Sequence, residues 1–255
     1  MTKSMIVGVV VATALTACKA RSSRTTVADA GTPSVVQVWP GMEVATVADI
    51  PSELAAPWKN GTFFLKGDPT PGHADRPLAS CQDLTGFSES DVRLAFEWER
   101  YNFREKSVRC SALALVRSAR PARVSYVRDL VSASDPGDTL PAAVAPAINS
   151  ALQPGGVPAT DARPTAGSWR KIDPTLTFDR TGARAGYEEL VVGGAYRGRL
   201  TWWAAGDFDG DGIEDVLMFS NLAPTASQNA PNVIRAFVLT RKQPGGPVIV
   251  VKQLR

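Results

Sequence analysis

Apolar residues in the first half of the chain recur mainly with the period of a helix. Those of residues 88–119 fall on one helical face, although residues 92–98 also alternate with a period of two, as a strand would. Ser88, with Asp91 three residues later, is typical of a helix start. The length of the segment and its content of Ala, Arg and Glu favour one helix. A second, shorter helix is predicted over 138–150.

The second half of the chain contains short runs of β-forming residues separated by turn signals. The last two runs flank Gln243–Pro247, a Pro- and Gly-rich segment typical of a hairpin connection. Because these strands do not alternate with helices, we expect an antiparallel sheet rather than a parallel one. The predicted strands are 176–178, 187–192, 200–205, 215–220, 234–240 and 248–253.

Composition shifts along the chain predict its organisation. Residues 18–34 are small and polar without an apolar face, which is typical of a flexible tether. Residues 153–171 are rich in Pro and Gly and are interpreted as a linker. The sequence therefore predicts an α+β protein, with a mostly helical lobe over 35–152 that opens on a short hairpin within 35–47, followed by an antiparallel β-rich lobe over 172–255.

Residues 1–17 have the pattern of an export signal. Lys3 precedes an apolar stretch over residues 5–15, which is too short to span a bilayer of roughly 30 Å as a helix. An ordinary signal peptide and a buried helix are the alternatives at this point.

The segment Leu15–Cys18 reads Leu-Thr-Ala-Cys and resembles the lipobox of bacterial lipoproteins. The resemblance implies cleavage before Cys18, acylation of that cysteine, and a mature chain that is anchored to a membrane without crossing it. In enterobacterial lipoproteins an Asp after the cysteine favours retention in the inner membrane. Lys19 stands there in this chain, which by resemblance implies the outer membrane, facing the periplasm or the cell surface.

Composition limits the chemistry that the chain can support. Of its 255 residues 44% are hydrophobic and 21% charged, which excludes collagen, coiled coil and wholesale disorder. The net charge of +3 is far below that of an obligate nucleic-acid binder, and His73 is the single histidine. In an exported protein the two cysteines besides Cys18, which are Cys81 and Cys110, predict a disulfide, with metal ligation as the rival use.

One acidic loop carries the clearest chemical pattern. Its aspartates alternate with other residues, so that successive carboxylates can face one centre, as a hard cation with oxygen ligands requires. Gly212 can take the positive φ that turns the next carbonyl towards the same centre. An unoccupied acidic turn is the alternative. The predicted metal ligands are Asp207, Asp209, Asp211, the backbone carbonyl of Ile213, and Asp215.

The loop resembles the D-x-D-x-D-G-x-x-D calcium loop of FG-GAP and VCBS-type repeats. The resemblance implies Ca²⁺ as the cation and a loop that joins two strands. It covers about 25 residues and occurs once, so the multi-bladed propeller of that family is not implied. An EF-hand needs a Glu at the twelfth loop position, where this chain has Met218.

These features favour a lipid-anchored, non-enzymatic envelope protein with a binding or accessory role, whose partner is another envelope protein or an anionic glycolipid. A basic stripe, Arg93, Arg100 and Arg104, would suit such a lipid surface, although a solvated helix face is the commoner use of such a stripe. No sequence pattern indicates nucleic-acid binding. The alternative function is a cell-wall or polysaccharide hydrolase, for which the candidate carboxylates are Asp173, Glu188 and Glu189.

Overall fold

The computed structural model describes residues 34–67, 76–133, 135–146, 167–179, 188–225 and 232–254. The predicted signal peptide, the lipidation site Cys18, His73 and most of the predicted tether and linker lie outside these ranges. Within them, no helix is both long enough and apolar enough to cross a membrane.

An antiparallel seven-stranded sheet occupies the centre of the fold, and a two-stranded ribbon formed by the second and third strands lies apart from it. Six strands of the sheet follow one another in the order β4-β5-β6-β7-β8-β9, and β1 pairs with the end of β6 that lies beyond β5. The strands are β1 (Gln37–Val38), β2 (Phe63–Phe64), β3 (Pro77–Leu78), β4 (Phe178–Asp179), β5 (Glu188–Val191), β6 (Tyr196–Gly206), β7 (Asp215–Pro224), β8 (Val233–Thr240) and β9 (Ile249–Leu254).

The predicted α+β class and antiparallel sheet are confirmed. The helices are α1 (Ile50–Ala55), α2 (Cys81–Leu84), α3 (Glu97–Ser118), α4 (Arg128–Ser132) and α5 (Trp169–Ile172). The longest, α3, lies against one face of the sheet over β8 and β9. The end of the predicted linker is part of the fold, because α5 places Trp169 in the core with 1% of its surface exposed.

The long helix begins nine residues later than the sequence pattern predicts. The side chain of Asp91 accepts from the Ser88 N–H and hydroxyl at 2.7 and 2.6 Å, but this capping box opens a 3-10 turn instead of the helix. Residue 92 then forms a β-bridge with Leu65, which explains the period-two signal there. In the second predicted helix, 138–150, the described part contains only a 3-10 turn at Ala142–Val144.

The hairpin predicted within 35–47 is wrong. Gln37 and Val38 pair with Ala205 and Ala204 of β6, and the following Pro40–Met42 forms a 3-10 turn. The turn packs closely against β6, because a β-carbon at Gly41 would overlap the methyl group of Thr201. Contact with the sheet therefore replaces the local strand pairing.

Both faces of the sheet are buried at its central strands β6, β7 and β8. Adjacent residues of a strand face opposite sides, so Trp202 and Trp203 enter different cores, with 0% and 4% of their surfaces exposed. Segments from both predicted lobes contribute to each core. Core one includes Met42, Phe103, Leu113, Trp203, Leu217 and Val238, and core two includes Trp39, Leu130, Leu140, Trp169, Trp202 and Phe237.

The predicted disulfide between Cys81 and Cys110 is confirmed. It joins the start of α2 to the middle of α3, and both cysteines are buried in core one. The bond closes a sequence separation of 29 residues. It thereby fixes the short helix against the long one.

Candidate metal centre

The acidic loop joins the two longest strands of the sheet. The strand β6 ends at Gly206, β7 begins at Asp215, and these two residues are paired across the hairpin. The loop turns sharply at Gly210 and Gly212, whose φ angles of 86° and 84° favour glycine. The predicted position of the loop between two strands is therefore correct.

Three of the predicted ligands come together. One carboxylate oxygen from each of Asp207, Asp209 and Asp215 lies within 4.8 Å of the others. Two oxygens that bind one Ca²⁺ at about 2.4 Å each can be separated by no more than about 4.8 Å. The spacing of this group, which we call the aspartate triad, is therefore compatible with one shared cation.

Backbone hydrogen bonds hold the triad in place. The carboxylate of Asp207 accepts from the N–H groups of Gly210 and Gly212 at 2.6 and 2.9 Å. One oxygen of Asp215, Oδ2, accepts from the Phe208 N–H at 2.9 Å. The loop thus folds around its own carboxylates and orients them before any ligand binds.

The second oxygen of Asp215 is the feature that points most directly to a cation. Asp215 is fully buried, and its Oδ1 has no hydrogen-bond partner among the residues that the structure describes. Burial raises the pKa of this carboxyl to about 6, against the opposing influence of the Phe208 N–H and the Thr240 hydroxyl, and the nearby charges of Asp209 and Asp211 add to the rise. An all-oxygen set with an uncompensated buried carboxylate fits a hard divalent ion such as Ca²⁺.

The fourth predicted aspartate makes a different contact. The side chain of Asp211 pairs with the ammonium group of Lys242, which also lies 3.1 Å from Oδ2 of Asp209. Burial opposes ionisation of Asp211, but the hydrogen bonds from Lys242 and the Ile213 N–H and the charge of Lys242 together outweigh it and lower the pKa of Asp211. Asp211 and the carbonyl of Ile213 stay predicted ligands.

Sequence reasoning missed Lys242. It lies two residues beyond Thr240, which pairs with Asp215 in the β7–β8 register. The only signal in the sequence is a pair of basic residues, Arg241 and Lys242, directly after a predicted strand. Their proximity to the loop follows from strand pairing, which the sequence pattern does not specify.

A second segment that the sequence did not indicate braces the other side of the loop. Arg120 and Asp207 exchange backbone hydrogen bonds at 3.0 and 2.9 Å, and the Arg123 N–H donates to the carbonyl of Gly212 at 2.8 Å. The buried carboxylate of Glu214 accepts two hydrogen bonds from Arg128 at 3.0 and 3.1 Å. The chain between α3 and α4 therefore fixes the loop from outside.

The carboxylates considered for hydrolysis have structural contacts. Asp173 accepts from the Thr175 hydroxyl at 2.8 Å and from the Ala195 N–H at 2.8 Å, which stabilises a turn. Glu188 pairs with Arg199 at 3.1 Å. The side chain of Glu189 is not among those that the structure describes.

Glu188 lines a cavity of about 890 Å³ between α1, α3 and the sheet. Three other glutamates also line it: Glu43 and Glu53 both pair with Arg109, at 2.9 and 3.0 Å, and the third is Glu105. Three of the four glutamates of this lining therefore have an arginine partner.

Acidic neighbours balance the basic stripe. Arg104 makes a bidentate pair with Glu89 at 2.8 and 2.9 Å, and Arg100 lies 3.4 Å from the same carboxylate. Glu97 is within 3.9 Å of Arg100. The stripe is therefore not a bare cationic surface.

Comparisons with models of known protein families, with curated proteins and with solved structures found no match to this chain.

Proposed function

We propose that this protein is a non-enzymatic, lipid-anchored component of a bacterial cell envelope whose sheet is stabilised by calcium bound in the 207–215 loop. The observation that carries the calcium part is the buried, unpartnered Oδ1 of Asp215 beside Asp207 and Asp209. The lipid anchor and the outer-membrane location rest on the resemblance of Leu15–Cys18 to a lipobox.

A structural role for the ion is supported by where its ligands lie. Asp207 directly follows β6 and Asp215 begins β7, so an ion shared by both would join the strands at the base of their loop. When bound, Ca²⁺ supplies positive charge that offsets the repulsion among the carboxylates. Asp207 and Asp215 are buried and Asp209 is exposed, so the site opens to solvent on one side only.

A binding or accessory role is supported by the cavity beside Glu188, where three of the four lining glutamates pair with arginines. We propose another envelope protein or an anionic glycolipid as the partner class. Nucleic acid is not proposed, since the net charge of +3 is low.

Thermal unfolding tests the calcium proposal. For a site with a dissociation constant of about 0.1 mM, 1 mM Ca²⁺ stabilises the protein by roughly 1.4 kcal/mol relative to chelator. We expect this increment in the mature chain carrying Cys18→Ser, and its loss in Asp209→Ala, because that substitution removes one triad carboxylate.

Asp138→Ala is the matched control, because Asp138 is an exposed aspartate outside the loop that lies near Arg170. It should retain the full response to Ca²⁺. A melting temperature that does not change with Ca²⁺, or an equal response in Asp209→Ala, would contradict the proposal.

A further inference from the structure

Lys242 lies just after β8, and its ammonium group reaches one member of the aspartate triad, Asp209. Its neighbour Arg241 is buried and donates from Nη1 to the Tyr126 carbonyl and to Asp129, each at 2.9 Å, which fixes the end of β8 against α4. Lys242 follows at the bend after β8, and its side chain lies on the acidic loop. There its ammonium contacts Asp209 and Asp211.

Asp209 therefore belongs to two groups. It is one of the three carboxylates that could share a cation, and it is also an ion-pair partner of Lys242. An ammonium group at Asp209 lies close to any divalent ion in the triad, and the two positive charges repel each other. Cation binding and the Lys242 contact consequently oppose each other.

We propose that Lys242 is a built-in competitor for the calcium site and sets its affinity; this inference rests on the calcium site proposed above. The lysine neutralises Asp209 and Asp211 until a divalent cation displaces it. Displacement releases Asp211, which then becomes available as the fourth carboxylate that the sequence pattern predicts. Displacement of one lysine thereby frees two aspartates, Asp209 and Asp211, for the cation.

The surroundings of Lys242 allow it to move. Its side chain is 41% exposed, and it begins the turn to β9. A β-carbon at Gly245, in the same turn, would meet no atom within 4 Å, so this turn has open space beside it. A lysine has a long flexible stem, and its ammonium can return to water when a stronger cation takes its carboxylates.

Calorimetric titration with CaCl₂ tests the inference. The proteins are the mature chain carrying Cys18→Ser, the same chain with Lys242→Met, and a control with Lys252→Met, which removes an exposed lysine from β9. We expect Lys242→Met to bind Ca²⁺ about tenfold more tightly, since even at the screening of bulk water a unit charge near a divalent ion has an effect of this size. Lys252→Met should bind as the parent chain does.

Melting temperature in chelator gives a second readout. If Lys242 competes with the cation, Lys242→Met should change the two measurements in opposite ways. Its melting temperature in chelator should fall, because two ion pairs are lost, whereas its Ca²⁺ binding should become tighter. Weaker binding, or binding equal to that of the parent chain, would overturn the competitor role and leave the calcium site standing. No binding by either protein would overturn the calcium proposal, and this inference with it.

Discussion

Asp215 is a buried carboxylate near two hydrogen-bond donors, the Phe208 N–H at 2.9 Å and the hydroxyl of Thr240. Its pKa, raised from 3.8 to about 6, means that the ionised form at neutral pH is disfavoured by roughly 3 kcal/mol relative to a solvated carboxyl. The cation proposed above would offset this cost, so the same carboxylate would destabilise the fold when alone and stabilise it with the cation bound.

Asp215→Asn separates these two effects. The amide keeps an oxygen for the Phe208 N–H, removes the buried charge and offers N–H donors to the neighbouring aspartates. In chelator we expect the variant to be more stable than the parent chain by roughly 1–3 kcal/mol in urea unfolding. In 1 mM Ca²⁺ that advantage should shrink or reverse, because the variant lacks a ligand.

Asp173→Asn is a suitable comparison, because Asp173 is held by hydrogen bonds in an exposed turn. It should lose stability equally with and without Ca²⁺. An Asp215→Asn variant that is less stable than the parent in chelator would show that the charge of Asp215 is already compensated within the fold.

The spacing of the aspartates was sufficient to predict the triad but not the position of Asp211. Alternation places carboxylates on one side of a short loop, and this is a local property that the sequence contains. The contact between Asp211 and Lys242 joins residues 31 apart through the β7–β8 pairing. Register of that kind depends on the whole sheet, so a local pattern cannot reveal it.

The β6–β7 hairpin is the element that supports the loop. Its strands are paired from Tyr196–Pro224 to Gly206–Asp215, with one irregularity near Trp202. Every residue of β7 is buried except Asn221 and Ala223. A substitution far from the loop therefore affects it through the hydrogen-bonded residue pairs of β6 and β7.

Gly198→Ala tests how closely the two strands approach each other. Gly198 has a φ of 145°, and a β-carbon there would overlap the backbone carbonyl oxygen of Asn221. Because backbone atoms cannot move aside as a side chain does, we expect a loss of about 3 kcal/mol or more in the free energy of unfolding. Urea denaturation followed by circular dichroism measures it.

Gly245→Ala provides the matched control. Gly245 also has a positive φ, 66°, but a β-carbon there would meet no atom within 4 Å. Only backbone strain of about 1 kcal/mol is then expected. Equal losses in both variants would indicate that strain alone, and not the contact with Asn221, limits position 198.

Strands were easier to predict than the ends of helices. The runs at 215–220 and 234–240 are buried on both sides, and their β-branched and aromatic content identifies them without context. The start of α3 is decided by competition, because residues 92 and 93 bond to the ribbon strand β2 and its neighbour Leu65 instead of continuing a helix. Such a tertiary contact overrides the Ser88–Asp91 signal.

At the scale of the whole molecule, the two predicted lobes share their hydrophobic cores. Met42 and Phe103 pack in the same core as Trp203 and Leu217, and each pair comes from a different predicted lobe. Periodicity identifies which faces are apolar but does not say which faces meet. This is why the elements were predicted more completely than their arrangement.

The predicted anchor also concerns the whole molecule. Replacement of Cys18 by Ser removes the thiol that the lipobox resemblance assigns to acylation, so the protein should move from the membrane pellet to the soluble fraction. Fractionation of cells with immunoblotting measures this, and mass spectrometry should find acyl chains on the parent chain alone.

Ser22→Ala leaves Cys18 intact and should stay with the membranes. A Cys18→Ser protein that persists in the pellet, or a parent chain with an unmodified amino terminus, would contradict lipidation.

The chain enters the fold at Ser34, beside the acidic loop, and this placement has a mechanical consequence. The Ser34 N–H bonds to the carbonyl of Ala122, and β1 then pairs with Ala204 and Ala205, just ahead of Asp207. Tension along residues 18–33 would thus shear β1 against the strand that leads into the first aspartate. In a tethered protein, a cation bound by both Asp207 and Asp215 would hold the β6 and β7 strands together at the position where this force acts.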